Sequence, residues 1–355
     1  MNKKRFLLSS TFVSLLALSW VAMPPRSLSQ TEQVSGQGNL RFRLLYTSSH
    51  LPEEARKVLK AAHGGFAFDR RPGKGELYFA LPGAGIIQIS SDLKKTKMIP
   101  TAPEMRDTNM HNALYWEAPN GEPYLTFPAN QANRVFTTTL NGKLVHTLAP
   151  PAVNQDLGNA TVNDYFAKKE PFIPTDVEML DGLFYITTGY SKLDFVLTAR
   201  IVNYKPMLVE WNDLSFGGRG TGVGQFGTGH GITIRQGTRR IDVSDRPNSE
   251  IDRFNRYGHY LSTLKLPQGS FPCDIQYLGK YAIVGALHGP DRSKGAPIYI
   301  LEDDQVVSTI MAKEELGLAN FQHVHNAALR EINGKLYVIA QAWNPGDFAI
   351  LEQVN

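Results

Sequence analysis

The sequence predicts an all-β protein, a six-bladed β-propeller whose ring is closed by an N-terminal strand that completes the last blade. Three observations support this fold class. Short apolar or aromatic runs alternate with Gly, Asn, Asp and Pro, which is typical of many short strands. One phrase of strands and turns recurs six times. The last repeat is one strand short, while a spare strand precedes the first repeat.

Residues 1–29 have the pattern of a secretory signal peptide. Basic residues at 3–5 precede an apolar stretch from 6 to 23, and small residues precede a cleavage point near Gln30. Serines within the apolar stretch disfavour the alternative, an uncleaved membrane anchor. The sequence therefore predicts a secreted or periplasmic protein whose propeller occupies residues 39–355.

The charge of the chain excludes some partners. The formal net charge is +4, but four of the 37 lysines and arginines lie in the leader, which leaves 33 against 33 aspartates and glutamates. Without a basic stripe, neither a nucleic acid nor an anionic membrane is expected as a partner. The single cysteine, Cys273, cannot form an internal disulfide. We expect a monomer that binds a small-molecule or peptide substrate.

Each repeat opens with a short run that starts at a polar or small residue. The six openings are His63-Gly64-Gly65-Phe66, His111-Asn112-Ala113-Leu114, Thr175-Asp176-Val177-Glu178, His230-Gly231-Ile232-Thr233, Cys273-Asp274-Ile275-Gln276 and His325-Asn326-Ala327-Ala328. A second strand follows each opening: Leu77-Tyr78-Phe79, Tyr124-Leu125-Thr126, Phe184-Tyr185-Ile186, Ile241-Asp242-Val243, Tyr281-Ala282-Ile283 and Leu336-Tyr337-Val338. This spacing suits four-stranded blades with loops of variable length.

Third and fourth strands follow in the same order. They are clearest at 134–139 and 144–148, and the same form returns at 250–266 and 298–310. Only a few helical stretches are expected, such as 53–62 and 312–318. The segments 150–171 and 188–206 are interpreted as insertions that form loops at the channel mouth.

The ends of the chain supply the ring closure. The last repeat stops after a third strand at 348–353, and the segment 40–46 has the alternating pattern of a fourth. Pairing of these two segments would close the ring and cover an edge that otherwise invites aggregation.

Four of the six openings begin with histidine, and first strands of propeller blades line the central channel. His111, His230 and His325 open the second, fourth and sixth blades, which places three imidazoles about 120° apart around one point. Three such ligands with an open position suit zinc, although another divalent transition metal would also fit. The alternative is that these histidines bind water and stiffen the ring. His63 lies outside the alternation and lines the channel or reaches substrate, and His323 is a possible substitute ligand.

Further motifs resemble the lyase domain of the peptidylglycine α-amidating enzymes, a six-bladed propeller related to NHL-repeat proteins. They are Pro174-Thr175-Asp176-Val177, Gly189-Tyr190-Ser191, Gly224-Gln225-Phe226, Ser244-Asp245-Arg246 and Asn248-Ser249-Glu250-Ile251. That family cleaves peptidyl-α-hydroxyglycine to a peptide amide and glyoxylate, with zinc on three histidines, a tyrosine base and arginines around the substrate. By position, the resemblance implies zinc on His111, His230 and His325, Tyr190 as the base and Arg246 as a substrate-orienting arginine.

The chain also departs from that family. Its first blade reads Ala80-Leu81-Pro82-Gly83-Ala84 where the family has a substrate-contacting arginine. His323 replaces a methionine, and Asn326 replaces an aspartate that helps to hold calcium, which leaves calcium doubtful although Asn326 could still contact a ligand. Two functions stay open: a metal-dependent lyase at the channel, or a non-catalytic NHL-type propeller that binds a peptide, glycan or protein.

Overall fold

Residues 33–354, which the computed structural model describes, form six antiparallel sheets arranged as the blades of a propeller. The predicted signal peptide lies outside these residues. The described chain starts with β1 (Val34–Gln37) and β2 (Leu40–Thr47), both in blade six. Blade one contains β3 (Ala67–Phe68), β4 (Leu77–Leu81), β5 (Gly85–Ile89) and β6 (Thr96–Ile99). Blade two contains β7 (Leu114–Glu117), β8 (Pro123–Ala129), β9 (Arg134–Thr139) and β10 (Leu144–Leu148).

The remaining blades follow in chain order. Blade three contains β11 (Asp176–Leu180), β12 (Leu183–Thr187), β13 (Phe195–Tyr204) and β14 (Met207–Gly217). Blade four contains β15 (Gly229–Arg235), β16 (Arg240–Asp245), β17 (Glu250–Phe254) and β18 (Tyr260–Lys265). Blade five contains β19 (Pro272–Leu278), β20 (Tyr281–Ala286), β21 (Ile298–Glu302) and β22 (Gln305–Ile310). Blade six contains β23 (Val324–Ile332), β24 (Lys335–Ala342) and β25 (Asp347–Val354), completed by β2.

The predicted ring closure is confirmed. Strand β2 pairs antiparallel with β25, from Arg41 opposite Val354 to Thr47 opposite Ala349. Strand β1, which the sequence analysis did not foresee, adds a fifth strand to this sheet and starts before the predicted boundary at residue 39. The side chain of Ser35 accepts a hydrogen bond from the backbone of Met311 at 2.8 Å, so the closing segment also holds the neighbouring blade five.

The core is divided among the interfaces between blades. The second strands are buried along their whole length in blades one and three, because they are covered on both faces by the flanking blades. The outer strand β18 instead exposes most of its residues. Between blades two and three, a large cluster joins Leu114 and Trp116 to Phe184 and Leu197.

Two of the loop and helix expectations are wrong. The segment 312–318 is a turn: it makes a single helical bond from Glu315 N to Met311 O before Gly317 takes a positive φ. The segment 188–206 is no insertion, because most of it is strand β13. The expected helix at 53–62 is present as α1 (Glu53–Val58) followed by the 3-10 turn Leu59–Ala61.

Two further helices were missed. Helix α2 is Pro103–Arg106, and helix α3, Ala160–Ala167, lies in the segment 150–171 that was expected to be loop. Asn159 caps α3 by accepting the backbone N–H of Thr161 at 2.9 Å. Buried Val162 and Phe166 tie the helix to the core cluster between blades two and three. Within residues 33–354, no helix is long and apolar enough to cross a membrane.

Candidate metal centre

The three histidines that open alternate blades meet at one point. His111, His230 and His325 are buried, with 0, 2 and 1% of their surface exposed. The Nε2 atom of His111 lies 3.2 Å from that of His230 and 3.2 Å from that of His325. Because each of the three first strands starts on the same face of the ring, the strands carry these nitrogens to one end of the channel.

A hydrogen bond to the next blade orients each ring. His111 Nδ1 lies 2.6 Å from the carbonyl oxygen of Thr175, and His230 Nδ1 lies 2.7 Å from that of Cys273. His325 Nδ1 lies 3.0 Å from the carbonyl oxygen of Gly64. A carbonyl only accepts, so Nδ1 carries the proton in each ring and the Nε2 lone pair points to the axis. This is the tautomer that binds a metal.

Tyr190 lies against the same point. It follows strand β12 in a turn where Gly189 packs so closely on the backbone of Gly229 that a side chain at this position would overlap it. The hydroxyl oxygen of Tyr190 lies 3.0 Å from His230 Nε2 and 3.2 Å from His111 Nε2. Glycine at 189 therefore allows the tyrosine to reach the histidines of two other blades.

Four of the six separations among the three Nε2 atoms and the Tyr190 oxygen suit a tetrahedral ion. These four separations are 3.0–3.2 Å: those from His111 to His230, His325 and Tyr190, and that from His230 to Tyr190. A tetrahedron with edges of about 3.2 Å has its centre about 2.0 Å from each corner, close to the zinc–nitrogen bond length of roughly 2.0–2.1 Å. Three imidazole nitrogens form a donor set that suits zinc or another divalent transition metal.

The number of hydrogen-bond donors near the three histidines also favours a bound cation. Three Nε2 lone pairs converge, and the hydroxyl of Tyr190 supplies one proton, which can serve only one of them. Burial, followed by nearby positive groups, lowers the pKa of His111, His230 and His325 well below 6.5, so the rings stay neutral near pH 7. Lone pairs that are buried without a donor are costly, and a bound cation would satisfy all three.

Arg246 lies behind Tyr190 rather than in the open channel. The guanidinium donates from Nη1 to the Tyr190 hydroxyl at 3.0 Å and from Nη2 to Cys273 Sγ at 3.1 Å, and only 6% of the residue is exposed. No carboxylate pairs with it within residues 33–354. A buried cation without an acid favours an anionic neighbour. Burial raises the pKa of Tyr190, and the charge of Arg246 opposes this rise.

His63 is at the entrance to the centre. Its Nε2 lies 3.4 Å from the Tyr190 hydroxyl, and its Nδ1 accepts a hydrogen bond from the side-chain amide of Asn109 at 3.0 Å. One nitrogen of His63 is also within 4.8 Å of nitrogens of His111 and His325, so these three form an alternative ligand set. The set of His111, His230 and His325 is favoured. The Asn109 amide donates to His63 Nδ1, so the proton of His63 is on Nε2, and that nitrogen has no lone pair for a metal. Burial, followed by the charge of Arg246, lowers the pKa of His63 to about 3.

Aromatic rings continue from His63 toward the mouth. The ring centroid of Trp343 lies 5.4 Å from that of His63 and 5.8 Å from that of His323, which lies 4.7 Å from His288. His323 Nδ1 lies 2.9 Å from the carbonyl oxygen of Leu287, so the structure places His323 on the rim and His325 on the axis. We call His63, Trp343, His323 and His288 the aromatic rim.

Asn326 lies one residue farther along the channel, in a polar layer formed by Asn112, Asp176, Asp274 and Asn326. Its Nδ2 donates to Asp274 at 3.2 Å, and its Oδ1 is buried without a partner. Gly65 packs so tightly on the Asn112 and Asn326 side chains that a Cβ atom there would overlap both. Asn112, Asp176 and Asp274 also line a cavity farther along the channel. Within the described residues, no hydrogen bond joins Asn326 to Tyr190 or to the three histidines.

Sequence reasoning missed three residues near the site. Cys273 was named as the opening of the fifth repeat but was given no role at the site. Trp343 follows the second strand of blade six, as Tyr190 follows that of blade three, and this shared position was a usable signal. Asn109 has no signal in the linear sequence, because its role depends on its contact with His63.

Comparison with known proteins does not assign this chain to a family. No family model and no curated protein matches the chain. Among solved structures, a streptogramin B lyase is 14% identical, with 79% of this chain and 76% of that chain covered and a TM-score of 0.46. A virginiamycin B lyase from Staphylococcus aureus is 13% identical over 83% of this chain and 96% of that one, with a TM-score of 0.48. A nidogen/laminin complex chain is 12% identical over 71% and 81%, with a TM-score of 0.47. The resemblance to the amidating lyases stays a prediction.

Proposed function

We propose that this protein is an exported, metal-dependent lyase that acts on a small polar or peptide-derived substrate at the centre formed by His111, His230, His325 and Tyr190. The convergence of three neutral imidazole nitrogens and one phenol oxygen, all within 3.0–3.2 Å of a neighbour, carries the proposal. Zinc or another divalent transition metal is the implied cofactor.

The chemistry follows from the position of each group. A bound ion would act as a Lewis acid that makes a substrate hydroxyl easier to deprotonate. Tyr190 accepts the hydroxyl proton, the carbon–oxygen bond becomes a carbonyl, and the adjacent carbon–nitrogen bond breaks. The leaving nitrogen takes up one proton, so one proton moves in total from oxygen to nitrogen. For a peptidyl-α-hydroxyglycine, the products are a peptide amide and glyoxylate.

Arg246 and His63 assist Tyr190 from opposite sides. Both terminal nitrogens of Arg246 are engaged, by Tyr190 and Cys273, so we assign Arg246 to stabilise the phenolate form of Tyr190 and not to bind substrate. This differs from the role that the family resemblance implied. His63 is half-buried and its Nε2–H faces the Tyr190 hydroxyl, so it can donate a hydrogen bond to the phenolate form.

The aromatic rim indicates how a substrate approaches. Its four rings are half-buried and lead outward from the centre, which favours a substrate with a flat or apolar group next to its reacting polar end. The first-blade arginine of the amidating lyases has no counterpart at 80–84, so recognition of an anionic end there is not expected.

Elemental analysis of the untagged protein tests the proposal. We expect about one zinc or other divalent transition ion per chain, lost in His111→Ala and retained in His259→Ala, because His259 is exposed and distant in sequence from every ligand. Glyoxylate release from a peptidyl-α-hydroxyglycine then tests the reaction. A protein that binds no metal, and whose melting temperature does not respond to added zinc, would support the non-catalytic binding function instead. Detection of the mature chain outside the cytoplasm tests export.

A further inference from the structure

The end of the channel opposite the histidines contains a cavity of about 470 Å³. Residues from the first strands of all six blades line it. Arg235 and Arg330 each stand five positions after a candidate metal ligand, which corresponds to about 17 Å along the channel at roughly 3.3 Å per residue. The polar layer lies between this cavity and the metal centre. None of the candidate metal ligands lines this cavity, which we call the far cavity.

Three arginines face the far cavity without an acidic partner. They are Arg70, which is exposed, and Arg235 and Arg330, which are half-buried. Within residues 33–354, none of them lies within 4.0 Å of a carboxylate oxygen. Other arginines of the same strands and their neighbours do pair: Arg71 with Asp69, Arg240 with Asp242 and Arg253 with Asp304. Arginines elsewhere in the described chain also lack such a pair, so the feature of these three is that they line one cavity.

Packing holds two of these guanidinium groups in place before any ligand binds. The guanidinium of Arg235 lies over the ring of Tyr277, 5.0 Å from its centroid. The guanidinium of Arg330 lies against Gly75, where a Cβ atom would overlap it, and its Nε is buried without a hydrogen-bond partner. Ordered arginines with unused donors present the planar fork that recognises carboxylates and phosphates in bidentate fashion.

The acidic groups of the far cavity neutralise these arginines only in part: the charge of Arg70 acts on Glu178, but no described carboxylate of the cavity forms an ion pair with them within 4.0 Å. Asp176 accepts the backbone N–H groups of Ile232 and Val177, and Asp274 accepts the hydroxyl of Thr233, so both carboxyls brace adjacent blades. Burial raises the pKa of Asp176 well above its usual value, that of Asp274 to about 6 and that of Glu178 to about 7. Near neutral pH, these groups carry less than their full negative charge.

We infer that the far cavity binds a small anionic ligand through its carboxylate or phosphate groups, with Arg70, Arg235 and Arg330 as the recognising residues. The volume suits a compact metabolite or a short peptide end and is within the usual range of small-molecule sites. The site does not depend on the proposed lyase activity, since no candidate metal ligand lines the far cavity.

Calorimetric titration with inorganic phosphate and with tricarballylate, at constant ionic strength set by chloride, tests the inference. We expect saturable binding of at least one anion, together with a rise in melting temperature. Arg235→Gln and Arg330→Gln should each weaken binding by about tenfold or more, since hydrogen bonds to charged groups contribute this much. Arg134→Gln is the matched control, because Arg134 is exposed and does not line the far cavity. The tighter of the two anions identifies the preferred group.

Three results would overturn the inference. One is the absence of saturable binding of either anion to the wild type. Another is unchanged binding by the triple variant of Arg70, Arg235 and Arg330. The third is loss of binding in His111→Ala, which would place the anion at the metal centre. Should a glutamine variant fail to fold, lysine at the same position keeps the charge but not the bidentate fork, and its binding should still weaken.

Discussion

Removal of the Tyr190 hydroxyl tests separately the two roles proposed for the centre, proton transfer and metal binding. Tyr190→Phe deletes the hydroxyl that contacts His111, His230 and Arg246 at 3.0–3.2 Å, and leaves the ring in place. The three histidine nitrogens keep their orienting bonds to backbone carbonyls. We therefore expect metal content to stay near that of the wild type, while turnover falls by about 10²-fold or more, the usual effect of losing a general base.

The same change should also affect stability. Arg246 loses one of its two partners and keeps only Cys273 Sγ, so a buried charged group is left partly unpaired. Such a loss costs about 1.5–3 kcal/mol. Tyr185→Phe is the control: Tyr185 is buried and donates one hydrogen bond, to the carbonyl oxygen of Arg256 at 2.7 Å. Its loss should cost about 0.5–1.5 kcal/mol and leave turnover unchanged.

Three measurements on one preparation decide whether Tyr190 acts as the base: metal content, glyoxylate release and unfolding in denaturant. In the wild type, added metal should also produce the ultraviolet difference absorbance of tyrosinate, because a bound cation lowers the pKa of a contacting phenol. Full activity in Tyr190→Phe would refute the role of this tyrosine as the base. Loss of metal in Tyr190→Phe, with turnover lost in proportion, would show that the hydroxyl serves as a ligand and leave the base unidentified.

Three further perturbations test the ligand assignment, the ring closure and a buried acid. His325→Ala should lose the metal, whereas His323→Ala should keep it and raise KM, as elemental analysis and kinetics would show; the reverse pattern would exchange their roles. Phe42 is fully buried in β2, so Phe42→Ala should lower the free energy of unfolding by about 3–5 kcal/mol, as measured in denaturant. The control Leu261→Ala, at an exposed position, should lower it by about 0.5 kcal/mol or less. Equal effects of the two substitutions would contradict the ring closure. Burial raises the pKa of Asp194 to about 7, above the value in the unfolded chain. The folded state therefore favours the protonated carboxyl, and the stability that this carboxyl contributes is lost as pH rises from about 4 through 7. Asp194→Asn should therefore gain about 1 kcal/mol or more over the wild type at pH 8 but not at pH 4, and a gain independent of pH would exclude this explanation.

The alternation of the histidines also determines which backbone carbonyls orient their rings. Each candidate ligand opens an even-numbered blade and bonds to the carbonyl at the opening of the next odd-numbered blade. The openings without a metal-binding histidine thus hold the ligands in orientation. Substitution at Thr175 or Cys273 would act on the centre through the backbone, even though neither side chain is a ligand.

Errors in the sequence analysis share a physical cause. The segment 312–318 has helical composition, but its single helical bond joins Glu315 N to Met311 O, and Gly317 then takes a positive φ. Ser35 of β1 also donates a hydrogen bond to the Glu315 carboxylate. Helix α3 was overlooked in a polar segment, although the cap at Asn159 and the apolar pair Val162 and Phe166 were visible in the sequence. Short segments have weak local preferences, so packing against the blades decides their conformation.

The sequence by itself determined the number of blades, the strand that closes the ring and the three histidines that reach the axis. These features repeat along the chain, and a repeat places equivalent residues at equivalent positions in the ring. Only the tertiary structure decided that Arg246 supports Tyr190 from behind with Cys273, that His323 belongs to the rim, and that three unpaired arginines share the far cavity. Those relations join side chains of different blades, and their distances depend on how the closed ring packs and which way each side chain turns, which no linear pattern encodes.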